Sequence, residues 1–364
     1  MVVVREVVIP SGEKRWIVLT NQIEPVIPIM KYIKYLDSLG KAPNTLKSYC
    51  YHLKLYWEFL LSHDKSFKEV DLNLLANFIG WLRMPQQKGK VKYLYGEKAK
   101  RSEQSINIIV NCVINFYDYL MRLDGFEKDL KTKVMKEIKV SKRSYKSFLN
   151  HISDKQLQTM NVLKVKEPRR KIKTVTEEQS TQIQKACKNI RDQLIIRIMY
   201  EGGLRASEVI NLWIEDFNIN DHSILVRKSK TVAGENRKVY VSTETMNIFQ
   251  DYIIDYHADE VDTNFVFFNL SGKNKGKPIQ YWTIQSLIRR IGKKTGIDFS
   301  AHMLRHTCAT NLHKHGMDAS SIQKFLGHAH VQTTMQMYVH PSDETIRKHW
   351  EIAMKKQTGG LYDN

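Results

Sequence analysis

The forty residues from Ala301 to His340, AHMLRHTCATNLHKHGMDASSIQKFLGHAHVQTTMQMYVH, constrain the fold of this chain more than any other stretch. Leu304, Cys308, Ala309 and Leu312 recur at helical spacing, so the first helix must bury that stripe against a core. Gly316 offers its stop, because glycine enters a left-handed C-terminal turn without steric cost. Asp318 is placed to cap a second helix, whose Ile322, Phe325 and Leu326 form the buried side. Gly327 ends that helix and delivers His328 into a turn. His302 and Arg305, three apart, share another face of the first helix. Ten residues beyond His328 comes Tyr338. Histidine, arginine and a single tyrosine gathered in this way suit nucleophilic attack on a phosphate.

Taken singly, a histidine or tyrosine beside apolar residues is ordinarily packing or a surface hydrogen bond. His302 and His306 stand four apart, as on a zinc-protease helix. That motif needs glutamate in its second position, where this chain has Met303, so no metal is expected. The ordered combination says more. HMLRHTCATNL, then LGH, then TTMQMYVH resembles the tyrosine recombinases, also called phage integrases: HxxR, a long helix, a GH turn, and a tyrosine nine or ten residues on. The resemblance is strong over the carboxy-terminal half and loose over the amino-terminal half. Within the family the chain looks most like transposon-encoded transposases and recombinases of Gram-positive elements. The resemblance implies a mainly α fold with a small antiparallel β-sheet, a helical core-binding domain followed by a catalytic domain.

Charge points the same way. Among 364 residues, 57 Lys and Arg face 38 Asp and Glu, a net charge of +19, which implies a polyanionic partner, nucleic acid before membrane. Cys50, Cys112, Cys187 and Cys308 show no CxxC spacing and sit in helical patterns, as expected of free thiols in a reducing compartment. The opening MVVVREVVIP is broken by Arg5 and Glu6 and lacks a cleavage site, so it does not read as a signal peptide. No apolar run reaches membrane-spanning length. The expectation is a bacterial cytoplasmic, nucleoid-associated protein without a membrane partner.

Along the chain, residues 1–24 read as a β-hairpin leader, VVVREVVI and RWIVLT around Gly12, either packed on a neighbour or serving as a DNA-contacting arm. Residues 25–130 carry four amphipathic helices. Their stripes are Ile29, Met30, Ile33 and Leu36; Leu46, Tyr49, Leu53, Tyr56 and Leu60 behind an Asn44 or Thr45 cap; Leu72, Leu75, Phe78, Ile79 and Leu82 behind Asp71; and Ile106, Ile109, Val110, Val113, Phe116 and Leu120 behind Ser102. This bundle resembles the family's SAM-like core-binding domain. The intervening QQKGKVKYLYGEKAKR is either a phosphate-contacting or a solvated loop. Residues 131–171, rich in lysine, read as a basic linker able to track a DNA backbone.

The catalytic domain is expected over 172–341 and a C-terminal helix and tail over 342–364. Thr176 and Gln179 stand in capping-box spacing. EGGLRASEVINLW breaks at Gly202 and Gly203 and starts a helix near Leu204, with Arg205 in its first turn and Glu208 able to steer the guanidinium. Residues 223–241 read as a hairpin with VAGEN at its tip, and NFVFFNL at 264–270 as a short buried strand.

The resemblance supplies the roles. Arg205 and Arg305, with His328, would take the phosphate oxygens. Tyr338 would attack to form a 3′-phosphotyrosyl bond, assisted by His302. Lys230, in SKT on the hairpin, would protonate the 5′ leaving oxygen, with Lys228 as rival, and Glu208 is the supporting carboxylate. No cofactor is implied. The implied partner is double-stranded DNA, bound by a homo-tetramer on paired sites with accessory recombination proteins. The C-terminal helix, with Ile346, Trp350, Ala353 and Met354 on one stripe, would dock on its own domain or on a neighbouring protomer. Two other readings use the same residues: a type IB topoisomerase that relaxes DNA, and a non-catalytic DNA-binding regulator.

Overall fold

A computed structural model describes residues 2–84, 101–123, 134–138, 158–168, 172–257 and 263–328, together with Arg347, Trp350 and Glu351. The chain divides into two compact units, Met1–Arg169 and Arg170–Asn364. Tyr338, the lysine-rich loop after residue 84 and most of the lysine-rich stretch of 131–157 lie outside the described residues.

The first unit is a four-helix bundle with a hairpin laid on it. Strands β1 (Val3–Val8) and β2 (Lys14–Leu19) pair antiparallel, Val3 opposite Leu19. Val2 and Val18 are buried in the same core as the helices, so the hairpin packs on its neighbour. The helices are α1 (Ile27–Ser38), α2 (Pro43–Ser62), α3 (Leu72–Arg83) and α4 (Glu103–Met121). Asp71 and Ser102 accept backbone hydrogen bonds from Leu74 and Ser105, capping α3 and α4 as their sequences require. α2 begins one residue before the expected cap. Pro43 occupies its first turn and Ala42 is the N-cap, because proline's fixed φ starts a helix without a side-chain acceptor. On α1, Tyr32 takes the inward place expected of Met30, which is exposed. Tyr56 and Tyr117 meet across the core at 2.8 Å between hydroxyls, which satisfies two polar atoms among Phe59, Phe78 and Phe116.

Part of the expected linker belongs to this unit. β3 (Met135–Ile138) and β4 (Gln158–Asn161) pair antiparallel. The chain that follows is held along α4 by Asn107, whose amide donates to the Val165 carbonyl at 2.9 Å and accepts from the Val165 N–H at 2.9 Å. One side chain thus pairs that backbone as a strand would. A four-residue strand among lysines leaves no periodic signal.

The second unit surrounds the buried helix α6 (Ile190–Glu201), on which α8 (Thr243–Tyr256) and α10 (Ala301–Lys314) pack. α5 (Glu177–Lys185) starts at the expected Thr176–Gln179 capping box, and Cys187 follows it, half-buried. The sheet has three antiparallel strands, β5 (Phe217–Asn218), β6 (Ser223–Val226) and β7 (Arg237–Tyr240). The expected strand at 264–270 forms only isolated bridges, Trp213 with Phe265, Phe268 with Pro278 and Asn269 with Lys275. Its Val266, Phe267 and Phe268 are core residues all the same. Helices α9 (Tyr281–Thr295), α10 and α11 (Ala319–Leu326) complete the unit. Ser300 caps α10 through Met303 N–H, Asp318 caps α11 through the Ser320 and Ser321 N–H groups, and Gly327 closes α11 at φ 65°.

Candidate active site

The site is built on three chain breaks that meet at the end of α11. The first is Gly202–Gly203. Gly203 has φ 62°, and a Cβ there would lie 2.5 Å from Leu326 Cδ2, so glycine alone lets this turn press against α11. The turn places Arg205 as N-cap of α7 (Ala206–Val209) rather than in a first turn. Because α7 is one turn long, the side chain and not a helix dipole supplies the positive charge.

The second break is the loop between β6 and β7, residues 227–236, which carries Lys230. The third is Gly327, which hands the chain to His328. Arg205, Lys230, Thr231, His302 and His328 line one cleft of about 470 Å³, together with Ala206 and Ala301. Lys228 is exposed and is not among the cleft-lining residues.

Glu208 sits behind this cleft, with its side chain fully buried. Its Oε1 accepts from Arg205 Nη1 at 2.7 Å and Ser229 Oγ at 2.6 Å, and its Oε2 from Arg237 Nη2 at 2.7 Å. Arg305 Nη1 lies 3.8 Å from Oε2. One carboxylate therefore anchors three guanidiniums, which a buried charge cluster requires if its cations are not to repel one another apart. Burial alone would raise the Glu208 carboxyl. The hydrogen bond and charge of Arg237, with Ser229 and the Arg205 N–H, bring it down to about 2.

Arg305 is 3% exposed and hangs from two carbonyls. Nη1 donates to Gly203 O at 2.8 Å and Nη2 donates to Leu326 O, so it joins the first and third breaks from behind the cleft. Burial and then Arg205 push its guanidinium down to about 9, still charged at neutral pH. Burial, then Arg305 and Arg205, take His328 down to about 4. His302 moves in the same direction through partial burial and then the charges of Arg305, Arg205 and Lys230. Both imidazoles are neutral at pH 7, able to donate or accept a single proton. The cleft thus offers fixed cations and proton-handling groups to an anion.

Residues 173–345 match the model of the phage integrase family. Transposase A from transposon Tn554 of Staphylococcus aureus is 40% identical over 356 residues, spanning 94% of this chain and 95% of that protein. The chain belongs to the phage integrase family of tyrosine recombinases. Tyrosine recombinase XerA of Saccharolobus solfataricus is 33% identical over 190 residues, 52% of this chain and 60% of that one. Among solved structures, the Tn1549 transposon integrase in complex with a circular intermediate DNA aligns with a TM-score of 0.59 at 16% identity, covering 90% of this chain and 99% of that one. The XerH site-specific recombinase bound to its palindromic difH substrate aligns with a TM-score of 0.59 at 18% identity, over 90% and 84%. These two share the fold of this tyrosine recombinase.

Of the residues singled out from sequence, the structure brings Arg205, Glu208, Lys230, His302, Arg305 and His328 to this one place, and Tyr338 lies outside the described residues. Sequence reasoning missed Arg237, Ser229 and Thr231. Arg237 could have been found: it shares the inward face of β7 with Val239, and an inward-facing arginine on a strand requires a buried acid.

Proposed function

We propose that this tyrosine recombinase is a site-specific, transposon-type recombinase that cuts and rejoins double-stranded DNA through a 3′-phosphotyrosyl intermediate. The observation that carries the reading is the cleft lined by Arg205, Lys230, His302 and His328, with Arg305 and Glu208 behind it. Attack on a phosphodiester is slow because the nucleophile approaches negative charge. Arginine answers this with a permanent charge and a planar fork matched to two oxygens. Arg205 takes a non-bridging oxygen directly and Arg305 adds charge from behind. Neutral His328 donates a hydrogen bond.

Tyr338 is the nucleophile. As its Oη bonds to phosphorus and the P–O5′ bond breaks, its proton passes to His302 and Lys230 protonates the departing 5′ oxygen. A phenol with a pKa of ~10 needs such a base at neutral pH. In the second half the 5′ hydroxyl of another strand attacks the phosphotyrosyl bond and the protons return. The bond energy is kept in the intermediate, so rejoining needs no nucleotide cofactor. The names of the relatives, a transposase and DNA-bound recombinases, support double-stranded DNA as partner. A homo-tetramer on paired sites, with accessory recombination proteins, completes the proposal.

The test uses nicked DNA that traps the covalent complex. Wild-type protein should attach to it, while Tyr338→Phe should bind DNA with the same affinity and form no adduct. An adduct that persists in Tyr338→Phe would remove the nucleophile assignment. Relaxation of supercoiled DNA without exchange between two sites would move the protein to topoisomerase chemistry.

A further inference from the structure

The segment that carries Lys230 is fastened on both sides of the lysine. Ser229, just before it, donates from Oγ to Glu208 at 2.6 Å and accepts from Arg205 Nη1 at 3.1 Å. Thr231, just after it, donates from Oγ1 to the Gly327 carbonyl at 3.2 Å. Arg205 Nη2 reaches the same carbonyl at 3.5 Å. Beyond Thr231 the loop turns through Val232–Gly234, and Gly234 N–H donates back to Thr231 O at 2.9 Å. Arg237 holds that turn from below, donating to Gly234 O at 2.6 Å and to Phe325 O at 2.9 Å.

Backbone packs on backbone here. A Cβ on Gly327 would fall 2.4 Å from Gly234 Cα, and one on Gly234 would fall 2.5 Å from Ser229 Oγ. The lysine side chain is a flexible four-carbon stem carrying a point charge, so it cannot hold its own place. With the residues on either side pinned, the backbone from which it springs is restrained at both ends. Both pins end on groups that also bond Arg205. The frame that would hold the proton donor is therefore the frame that holds the phosphate-binding arginine.

We propose that Ser229 and Thr231 are positioning residues for Lys230, bracketing it and tying it to Arg205. This rests on the reading of Lys230 as the acid that protonates the 5′ oxygen. Ser229 also satisfies buried Glu208, so Thr231, whose hydroxyl bonds a carbonyl at the end of α11, separates positioning from charge burial.

The experiment compares covalent cleavage of nicked DNA carrying either an ordinary phosphodiester or a 5′-bridging sulfur, a leaving group that needs no proton. DNA affinity of each full-length variant is measured alongside as a check on folding. Misplacing a catalytic group by ~1 Å costs on the order of a hundredfold. Thr231→Val and Ser229→Ala should thus cleave ordinary DNA about ten- to a hundredfold more slowly. Thr231→Val should recover the wild-type rate on the sulfur substrate, as Lys230→Ala should; Ser229→Ala should recover only in part, because it also loosens Arg205 and Glu208. Thr231→Ser should keep most of the ordinary rate. If Lys230→Ala recovers on sulfur but Thr231→Val stays slow, or if Thr231→Val is as fast as wild type on ordinary DNA, the bracket is wrong and the acid assignment stands. If Lys230→Ala itself fails to recover, the acid assignment is wrong and the bracket falls with it.

Discussion

Glu208 and His328 share the neighbourhood of the same cations, and both resist protonation, His328 chiefly through burial and Glu208 chiefly through Arg237. The His328 imidazole is brought from 6.5 to about 4 by burial and then by Arg305 and Arg205. Between those pH values the unfolded chain binds a proton at residue 328 that the folded chain does not, so stability falls as pH falls through that window. His302 and His306 are lowered as well and add the same sign. Glu208 continues it from 4.5 down to about 2, since its folded carboxylate is held against protonation chiefly by Arg237 despite its burial. The urea midpoint should therefore fall steadily on acidification from pH 6.5, and His328→Gln should flatten the upper part of that fall. A midpoint in wild type that stays level from pH 6.5 to 4 would show that these histidines are not held neutral. At this scale the sequence disclosed His302, Arg305 and His328, because HxxR and a GH turn are local patterns. It did not disclose Arg237, whose partner Glu208 lies 29 residues away and is joined only by the fold.

The junction of α11 with the lysine loop is where elements matter more than single contacts. Gly327 combines φ 65° with a Cβ position occupied by Gly234 Cα, two separate reasons for glycine. Gly327→Ala should cost more than about 1 kcal/mol of stability and lower cleavage by displacing both the Lys230 loop and His328. Urea unfolding and covalent trapping measure the two effects, and an alanine variant that keeps both would mean the loop can shift away freely. The helices were legible in the chain because their stripes are long and their caps, Asp71, Ser102, Thr176 and Asp318, are short polar residues at the right offset. The hairpins β1–β2 and β6–β7 were legible too, from apolar strands around a glycine-bearing turn, but the remaining β-structure was not. β3 and β4 are four residues each, and the phenylalanine-rich segment at 264–270 is buried by packing without joining a ladder. An apolar run records burial; it does not record hydrogen-bond partners.

At the level of the whole molecule, Trp350 is 62% exposed on a helical segment with Arg347 and Glu351. Docking of this segment on a neighbouring protomer predicts that Trp350→Ala keeps single-site DNA binding but loses synapsis and strand exchange, with a tryptophan in such a contact worth ~2 kcal/mol or more. Gel-shift and two-site recombination assays separate these, and a variant that recombines like wild type would rule out the docking. The two carbonyl bonds of Arg305 have a bearing on how the protein can be silenced in nature. A replacement there unhooks Gly203 from the end of α11, so the product should be less stable and more readily cleared, besides losing the charge the proposed mechanism needs. A gene copy that decayed at Arg305 would therefore leave an active sibling unopposed, since its unstable product would not persist to compete for the same DNA.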